Sequence, residues 1–452
     1  MTVDRVVRNG RVVSGDQIID GGVAIADGII VGLGADRALP DAKDIIDARR
    51  AWVLPGVIDP HVHFRDPGLT DREDFTTGTT AAAVGGVATV FDMPNTIPPT
   101  ADGTTVQEKR SIVQPKALVD FGLFGLVGQS NLEKIEEMAV AGVIGYKFFL
   151  HQSVEGVAPC DDGALLEAFE RVAATGLRAA IHAENPEIIQ RRSRHLKDSG
   201  RHDAPANLEA RPSVSESEMV ERCIAFARAS GAKIHICHVT AADSVAAIRA
   251  AKTAGVDVTA ETGPQWLWFT QQDVEAKGTI LMFSPPFRHR PDRDALWEGL
   301  RDGTIDAVAT DHAPRLSHEK ICSSVWETKS GFIGVETGVR LLMTAVAQGK
   351  MTIQEYARVS SENPARVYGL WPRKGKLAVG TDADITIVET GTPRVIDADQ
   401  LHSRARVTPF DGVSVAAHVT HTFVRGTLVA QDGRIVSAPT GHDVRRPTPG
   451  KG

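Results

Sequence analysis

Val53-Leu54-Pro55-Gly56-Val57-Ile58-Asp59-Pro60-His61-Val62-His63-Phe64-Arg65 is the stretch on which the fold turns. It starts as an apolar, β-rich run and ends in polar residues able to do chemistry. Seven further runs share that character, at 87–93, 119–127, 143–150, 177–184, 233–240, 256–261 and 305–311, with Ala- and Glu-rich helical stretches between them. Eight strand-then-helix units in tandem predict an α/β fold, a (β/α)8 barrel of TIM type. Its strands are buried on both faces and its chemistry collects at their C-terminal ends. An open doubly wound sheet is the other way to arrange such units, but no GxGxxG turn follows the first run.

Outward from the barrel the texture changes. Short apolar runs at 11–13, 22–25 and 29–34 alternate with Gly and Asp turns, and similar runs return at 383–388, 420–424, 428–431 and 435–436. The two ends are expected to pair into one small β-sandwich. The predicted division is therefore 1–52 for the N-terminal part of the sandwich, 53–376 for the barrel and 377–452 for the C-terminal part and tail. The Pro-, Gly- and Arg-containing tail after His442 is expected to be disordered.

Composition narrows the function classes. A chain of 452 residues suits one large barrel plus a satellite domain. Hydrophobic residues at 42% and charged residues at 24% fit a soluble globular protein, and a net charge of −7 leaves no basic stripe for nucleic acid. No apolar run is long enough to cross a bilayer, and residues 1–10 lack a leader pattern, so a cytoplasmic location without a membrane partner is expected. The four cysteines are far apart and form no CxxC pair, which argues against a disulfide framework or a cysteine zinc site.

The histidines are more informative. Residues two apart on a strand face the same side, so His61 and His63 can present two imidazoles to one ion. Such a pair alone reads equally well as two polar residues at a strand end. However, His182, His238 and Asp311 also fall at the ends of predicted strands, and four separate strand ends then supply ligand types suited to a divalent ion. Lys147 ends the fourth run among apolar neighbours. Either its head escapes to water, or the ammonium is disfavoured there and the neutral amine takes up carbon dioxide as a carbamate whose two oxygens can bridge two metals. Other conspicuous residues have plainer readings. Trp266, Trp268 and Phe269 are expected to pack under a loop, His151 to be a loop residue, and His235, three positions before His238, to face the helices.

Taken together, Gly56 to Gly68, Asp92-Met93-Pro94-Asn95-Thr96, Lys147, His182, His238 and Thr310-Asp311-His312-Ala313-Pro314 resemble the cyclic amidohydrolases. That group of the amidohydrolase superfamily includes dihydroorotases, allantoinases and hydantoinases. The resemblance covers nearly the whole chain, including 375–384, which resembles the return from barrel to sandwich. It implies two divalent metal ions, zinc by expectation. His61, His63 and Asp311 hold one, His182 and His238 hold the other, and carboxylated Lys147 bridges both. It further implies a metal-bridging hydroxide that attacks a small cyclic amide, with Asp311 as general base and then general acid, in a homodimer or homotetramer.

The ring is less clearly indicated. His63-Phe64-Arg65 with Asn95 resembles dihydroorotase, in which arginine and asparagine grip the substrate carboxylate, and 331–338 looks the same way. Three positions depart from that pattern. Arg315 stands where a carboxylate-binding histidine is expected, Ser284 stands where asparagine is common, and Gln265 resembles hydantoinases. Arg65 tips the first reading to dihydroorotase, interconverting dihydroorotate and N-carbamoyl-aspartate in pyrimidine biosynthesis. The alternative is a hydantoinase or allantoinase-type cyclic ureide hydrolase. A catalytically inactive scaffold is the remote one, disfavoured because every expected ligand is present. Arg65, Asn95, Ser284 and Arg315 are the candidate substrate contacts.

Overall fold

The structure is a computed structural model that describes residues 2–444. Residues 445–452, most of the tail expected to be disordered, lie outside the described residues. Eight strands form one parallel sheet whose neighbours follow chain order: Val57–Val62 (β1), Val87–Asp92 (β2), Asp120–Val127 (β3), Gly145–Phe149 (β4), Arg178–His182 (β5), Lys233–Ile236 (β6), Val258–Thr262 (β7) and Ala307–Val308 (β8). A parallel bridge between Val62 and His312 joins the end of β1 to the residues just past β8, and the His63 N–H donates to the His312 carbonyl at 2.8 Å. The strands therefore come round to meet, as a barrel requires and a doubly wound sheet does not.

The predicted run 53–64 is two strands. Trp52–Pro55 pairs with Ile385–Val395 and with Val3–Ser14 in a second sheet, and β1 begins only at Val57. Gly56 makes the step between them. Its N–H donates to the Asp384 carbonyl at 2.8 Å. A Cβ at this position would come within 2.6 Å of the Asp384 Cβ and 2.7 Å of the Ala88 Cβ. Only glycine lets sheet and barrel approach so closely.

That second sheet has nine strands, mostly antiparallel. The N-terminal stretch supplies Val3–Ser14, Gln17–Ala26, Ile29–Gly34, Ala42–Asp47 and Trp52–Pro55; the C-terminal stretch supplies Ile385–Val395, Ser414–Val424, Thr427–Gln431 and Arg434–Ile435. Alternate apolar residues from both ends, among them Val12, Val23, Val53, Ile387 and Phe423, share one buried cluster, and the pairing of Trp52–Pro55 with Ile385–Val395 joins the two ends into one sheet. The buried Lys374 ammonium ties the sheet to the barrel. It lies 2.6 Å from Asp120 at the start of β3, 2.6 Å from Asp384 and 3.0 Å from Asp382. Among the described residues no helix is long and apolar enough to cross a membrane.

A half-buried pair fastens the segment between the last long strands to the barrel. Glu336 accepts from the His402 backbone N–H at 2.8 Å and from its Nδ1 at 3.0 Å, and this hydrogen bond raises the His402 pKa. A raised folded-state pKa stabilises fully below the unfolded value of about 6.5, and the contribution is lost as pH rises through the folded value. The stability deficit of His402→Ala, measured by urea unfolding, should thus be larger at pH 5.5 than at pH 8.5. A deficit independent of pH would contradict a charged His402–Glu336 pair.

Candidate metal centre

The loop after β1 owes its course to Phe64. Its ring is buried beneath the helix Phe75–Val84, which starts at an Asp74–Thr77 capping box. Gly78 of that helix makes the room, since a Cβ there would come 2.5 Å from the ring. The Phe64 N–H donates to Asp92 Oδ1 at 2.7 Å, and Asp92 pairs with Lys109 at 2.5 Å. With Phe64 locked inward, His63 and Arg65 turn to the cleft, Arg65 with a left-handed φ of 62°.

The sequence-predicted ligands converge. Ring centroids are 5.2 Å apart for His61 and His63, 5.3 Å for His61 and His238, and 4.5 Å for His182 and His238. Asp311 Oδ1 lies 3.1 Å from His63 Nε2 and 3.3 Å from His61 Nε2. Ligand atoms of His61, His238 and Asp311 all fall within 4.8 Å of one another. The His238 Nδ1 is buried without a hydrogen-bond partner, and a polar atom left so inside a protein wants a ligand. These residues therefore fit a divalent metal ion.

Electrostatics support the same use. Burial, the largest cause in each case, holds His61, His63 and His238 well below the ordinary imidazole value and brings His182 to about 4. Near neutral pH all four are uncharged, the form that ligates. Asp311 is the exception: burial pushes its carboxyl well above its ordinary value, against the ligating carboxylate, and a bound cation would oppose that rise. Lys147, fully buried on β4, does not reach water. Its Nζ lies 3.0 Å from Cys237 Sγ, and among the described residues no carboxylate forms an ion pair with it.

Each imidazole is also held from behind. His61 Nδ1 lies 2.5 Å from Glu261 Oε1, His63 Nδ1 is 2.6 Å from Asn95 Oδ1, and His182 Nε2 is 2.7 Å from Glu184 Oε2. Burial opposes the Glu184 charge, but Arg211 and the His182 hydrogen bond bring its pKa down to about 2. Sequence reasoning missed both glutamates, although Glu184 follows His182, and Glu261 follows Thr259, at the two-residue spacing of one strand face. Asn95, expected at the substrate, spends its carbonyl oxygen on His63.

His235 corrects an expectation. The register Lys147–Ala180–His235–Thr259 across β4 to β7 sets its side chain on the same barrel-interior face as Lys147, and its Nε2 lies 3.1 Å from Glu261 Oε2. Counting three residues to His238 misled because β6 ends at Ile236 and His238 has a left-handed φ of 39°. That turn swings its ring back into the site.

Arg65, Asn95, Ser284 and Arg315 all line one small cleft of about 80 Å³ with the histidines and Asp311. The Arg65 Nε is buried without a partner, while the Arg315 Nε donates to the Ser330 carbonyl at 2.8 Å. Burial, then Arg72, lowers the Arg315 pKa to about 10, and burial with Arg315 lowers that of Arg65. A larger depression of about 700 Å³ adjoins across His151 and Gln152 but holds none of the proposed ligands. His151 stacks on His182 with centroids 3.6 Å apart. Trp266 is buried, as expected, with its indole donating to the Pro285 carbonyl at 3.3 Å, and Gln265 donates to the Thr310 carbonyl at 2.9 Å.

The barrel lies within the span of a known family model. Residues 52–429 match the amidohydrolase family, and the chain belongs to it. It is 35% identical to an L-hydantoinase of Paenarthrobacter aurescens, over 96% of both chains. It is 36% identical to an allantoinase of Solibacter usitatus, over 98% of this chain and 96% of that one. A dihydroorotase of Methanosarcina mazei is 35% identical over 96% of this chain and 95% of its own. Among solved structures, the L-hydantoinase (dihydropyrimidinase) from Arthrobacter aurescens superposes with a TM-score of 0.96 at 35% identity, covering 98% of this chain and all of that one.

Proposed function

We propose that this amidohydrolase opens a cyclic ureide of the hydantoin or allantoin class by hydrolysing a ring C–N amide bond. The convergence of His61, His63, His238 and Asp311 in a cleft sized for a small ring carries the reading. The hydantoinase and allantoinase relatives support this ring class ahead of dihydroorotate, the first choice from sequence. His61, His63 and Asp311 would hold one zinc-like ion, His182 and His238 a second, and carboxylated Lys147 both. Two such cations bring water towards ionisation at neutral pH and polarise the amide oxygen.

The chain's own groups do the rest. Asp311 takes the proton of the attacking water and returns it to the ring nitrogen, which leaves poorly unless protonated. Arg65, Ser284, Arg315 and the free amide nitrogen of Asn95 orient the ring's oxygens.

A dihydroorotase reading keeps one specific support. The Arg65 and Arg315 guanidinium groups face one cleft, and among the described residues neither is paired with a carboxylate. Two unpaired guanidinium groups suit a ring bearing a carboxylate. A panel of allantoin, hydantoin, dihydrouracil and dihydroorotate, assayed with zinc and bicarbonate, tests both readings. Turnover of the uncharged rings ahead of dihydroorotate is the expected result. Turnover of dihydroorotate alone, lost about 10- to 100-fold in Arg65→Ala as removal of a charged hydrogen bond predicts, would establish the second reading.

A further inference from the structure

Glu261, His235 and Thr259 take no part in the proton transfer or ring contacts above. Yet they form an unbroken hydrogen-bonded line through the barrel interior to His61. Thr259 Oγ1 lies 2.8 Å from His235 Nδ1, His235 Nε2 is 3.1 Å from Glu261 Oε2, and Glu261 Oε1 is 2.5 Å from His61 Nδ1. His235 and Glu261 are completely buried or nearly so.

The chemistry of the donors orders this line. Burial pushes the Glu261 carboxyl up to about 8, a rise that a cation held by His61 would oppose. In the carboxylate form Glu261 only accepts, and both imidazoles that meet it then donate to it, His235 through Nε2–H and His61 through Nδ1–H. His235 then carries its lone pair on Nδ1, where the Thr259 hydroxyl donates. His61 carries its lone pair on Nε2, the atom 3.3 Å from Asp311 Oδ1 and directed at the cluster. Without a fixed acceptor at Nδ1, a neutral imidazole divides between two tautomers. The one protonated at Nε2 has no lone pair to offer on the side that faces the cluster.

We propose that Glu261, backed by His235 and Thr259, is a positioning residue. It locks His61 in the tautomer and orientation that bind a divalent cation, and so sets the affinity of the centre for metal. This rests on the reading of His61 as a metal ligand. The side-chain pairing also explains a histidine deep in a barrel core, where an apolar residue would otherwise pack.

Cobalt is the probe. Metal-free protein would be titrated with cobalt(II) against a chelating dye, following both dye occupancy and the visible cobalt spectrum, for wild type, Glu261→Gln, Glu261→Met and His61→Ala. Methionine fills the space but accepts no such hydrogen bond, and Glu261→Ala stands in if that variant does not fold. Loss of an outer partner of a ligating histidine costs about 10- to 100-fold in metal affinity, so Glu261→Met should weaken cobalt binding by that factor and shift the visible bands. Glutamine still accepts from His61 through its oxygen and donates to His235, whose proton moves to the Thr259 side. Glu261→Gln should therefore recover most of the lost affinity. Wild-type affinity and spectrum in Glu261→Met would overturn the proposal, as would equal losses in the glutamine and methionine variants. Wild-type cobalt binding in His61→Ala would instead overturn the ligand assignment beneath it, and the two failures are thereby told apart.

Discussion

Asp311→Asn is expected to lower kcat by about 10³-fold, within the 10²–10⁴ range of general acid–base catalysis, with divalent metal content near that of wild type. Asparagine keeps the shape and one oxygen towards His61 and His63, but it cannot accept a proton and pass it on. The position is built for that task. Asp311 has a left-handed φ of 46°, and its neighbour Thr310 is clamped to Asp59 by a backbone N–H at 3.1 Å and a hydroxyl at 2.5 Å. The strained residue is held by contacts on both strands that meet at the barrel seam. Steady-state kinetics with metal analysis on the same samples checks the expectation. Unchanged kcat, or a loss explained entirely by missing metal, would remove Asp311 from the proton path.

A loss of similar or larger size is expected for Lys147→Ala, with a different signature. Here metal occupancy should fall together with kcat, and by more than the 10- to 100-fold that an outer partner costs, because two ligand oxygens are lost. The amine is fully buried, reaches Cys237 Sγ at 3.0 Å and has no carboxylate ion pair among the described residues. A carbamate at this buried amine would present an anion to the proposed cations. Wild-type protein stripped of metal should accordingly regain activity faster when bicarbonate is supplied with zinc, and its intact mass should include one carbon dioxide. Full metal loading and activity in Lys147→Ala would refute the bridging role.

Much of the site was legible because strand-end residues of a parallel barrel share one face of the molecule. The run 177–184 names His182, and 143–150 names Lys147, with no knowledge of the fold beyond its class. His238 and Asp311 were singled out as candidates for a partly wrong reason. They follow the strands in left-handed turns, and the sign of φ at a non-glycine residue leaves no mark in composition or periodicity. The same cause turned His235 the wrong way. Glu184 and Glu261 escaped because a carboxylate near a histidine in sequence looks like any polar strand end. Their roles appear only once their partners are placed.

By itself, the sequence determined the eight alternating units, the sheet shared by the two ends, and the imidazole, carboxylate and amine groups available for chemistry. These follow from local hydrophobic period and residue type, which every stretch of chain carries in itself. The tertiary structure decided which nitrogen of each histidine faces the cluster, that Gly56 divides one apparent strand into two, and that Asn95 and Glu261 meet His63 and His61. Those facts depend on groups as far apart as His61 and Glu261, or Gly56 and Asp384, meeting within a few ångströms. Such meetings are a property of barrel closure and strand register, which no local stretch of chain contains.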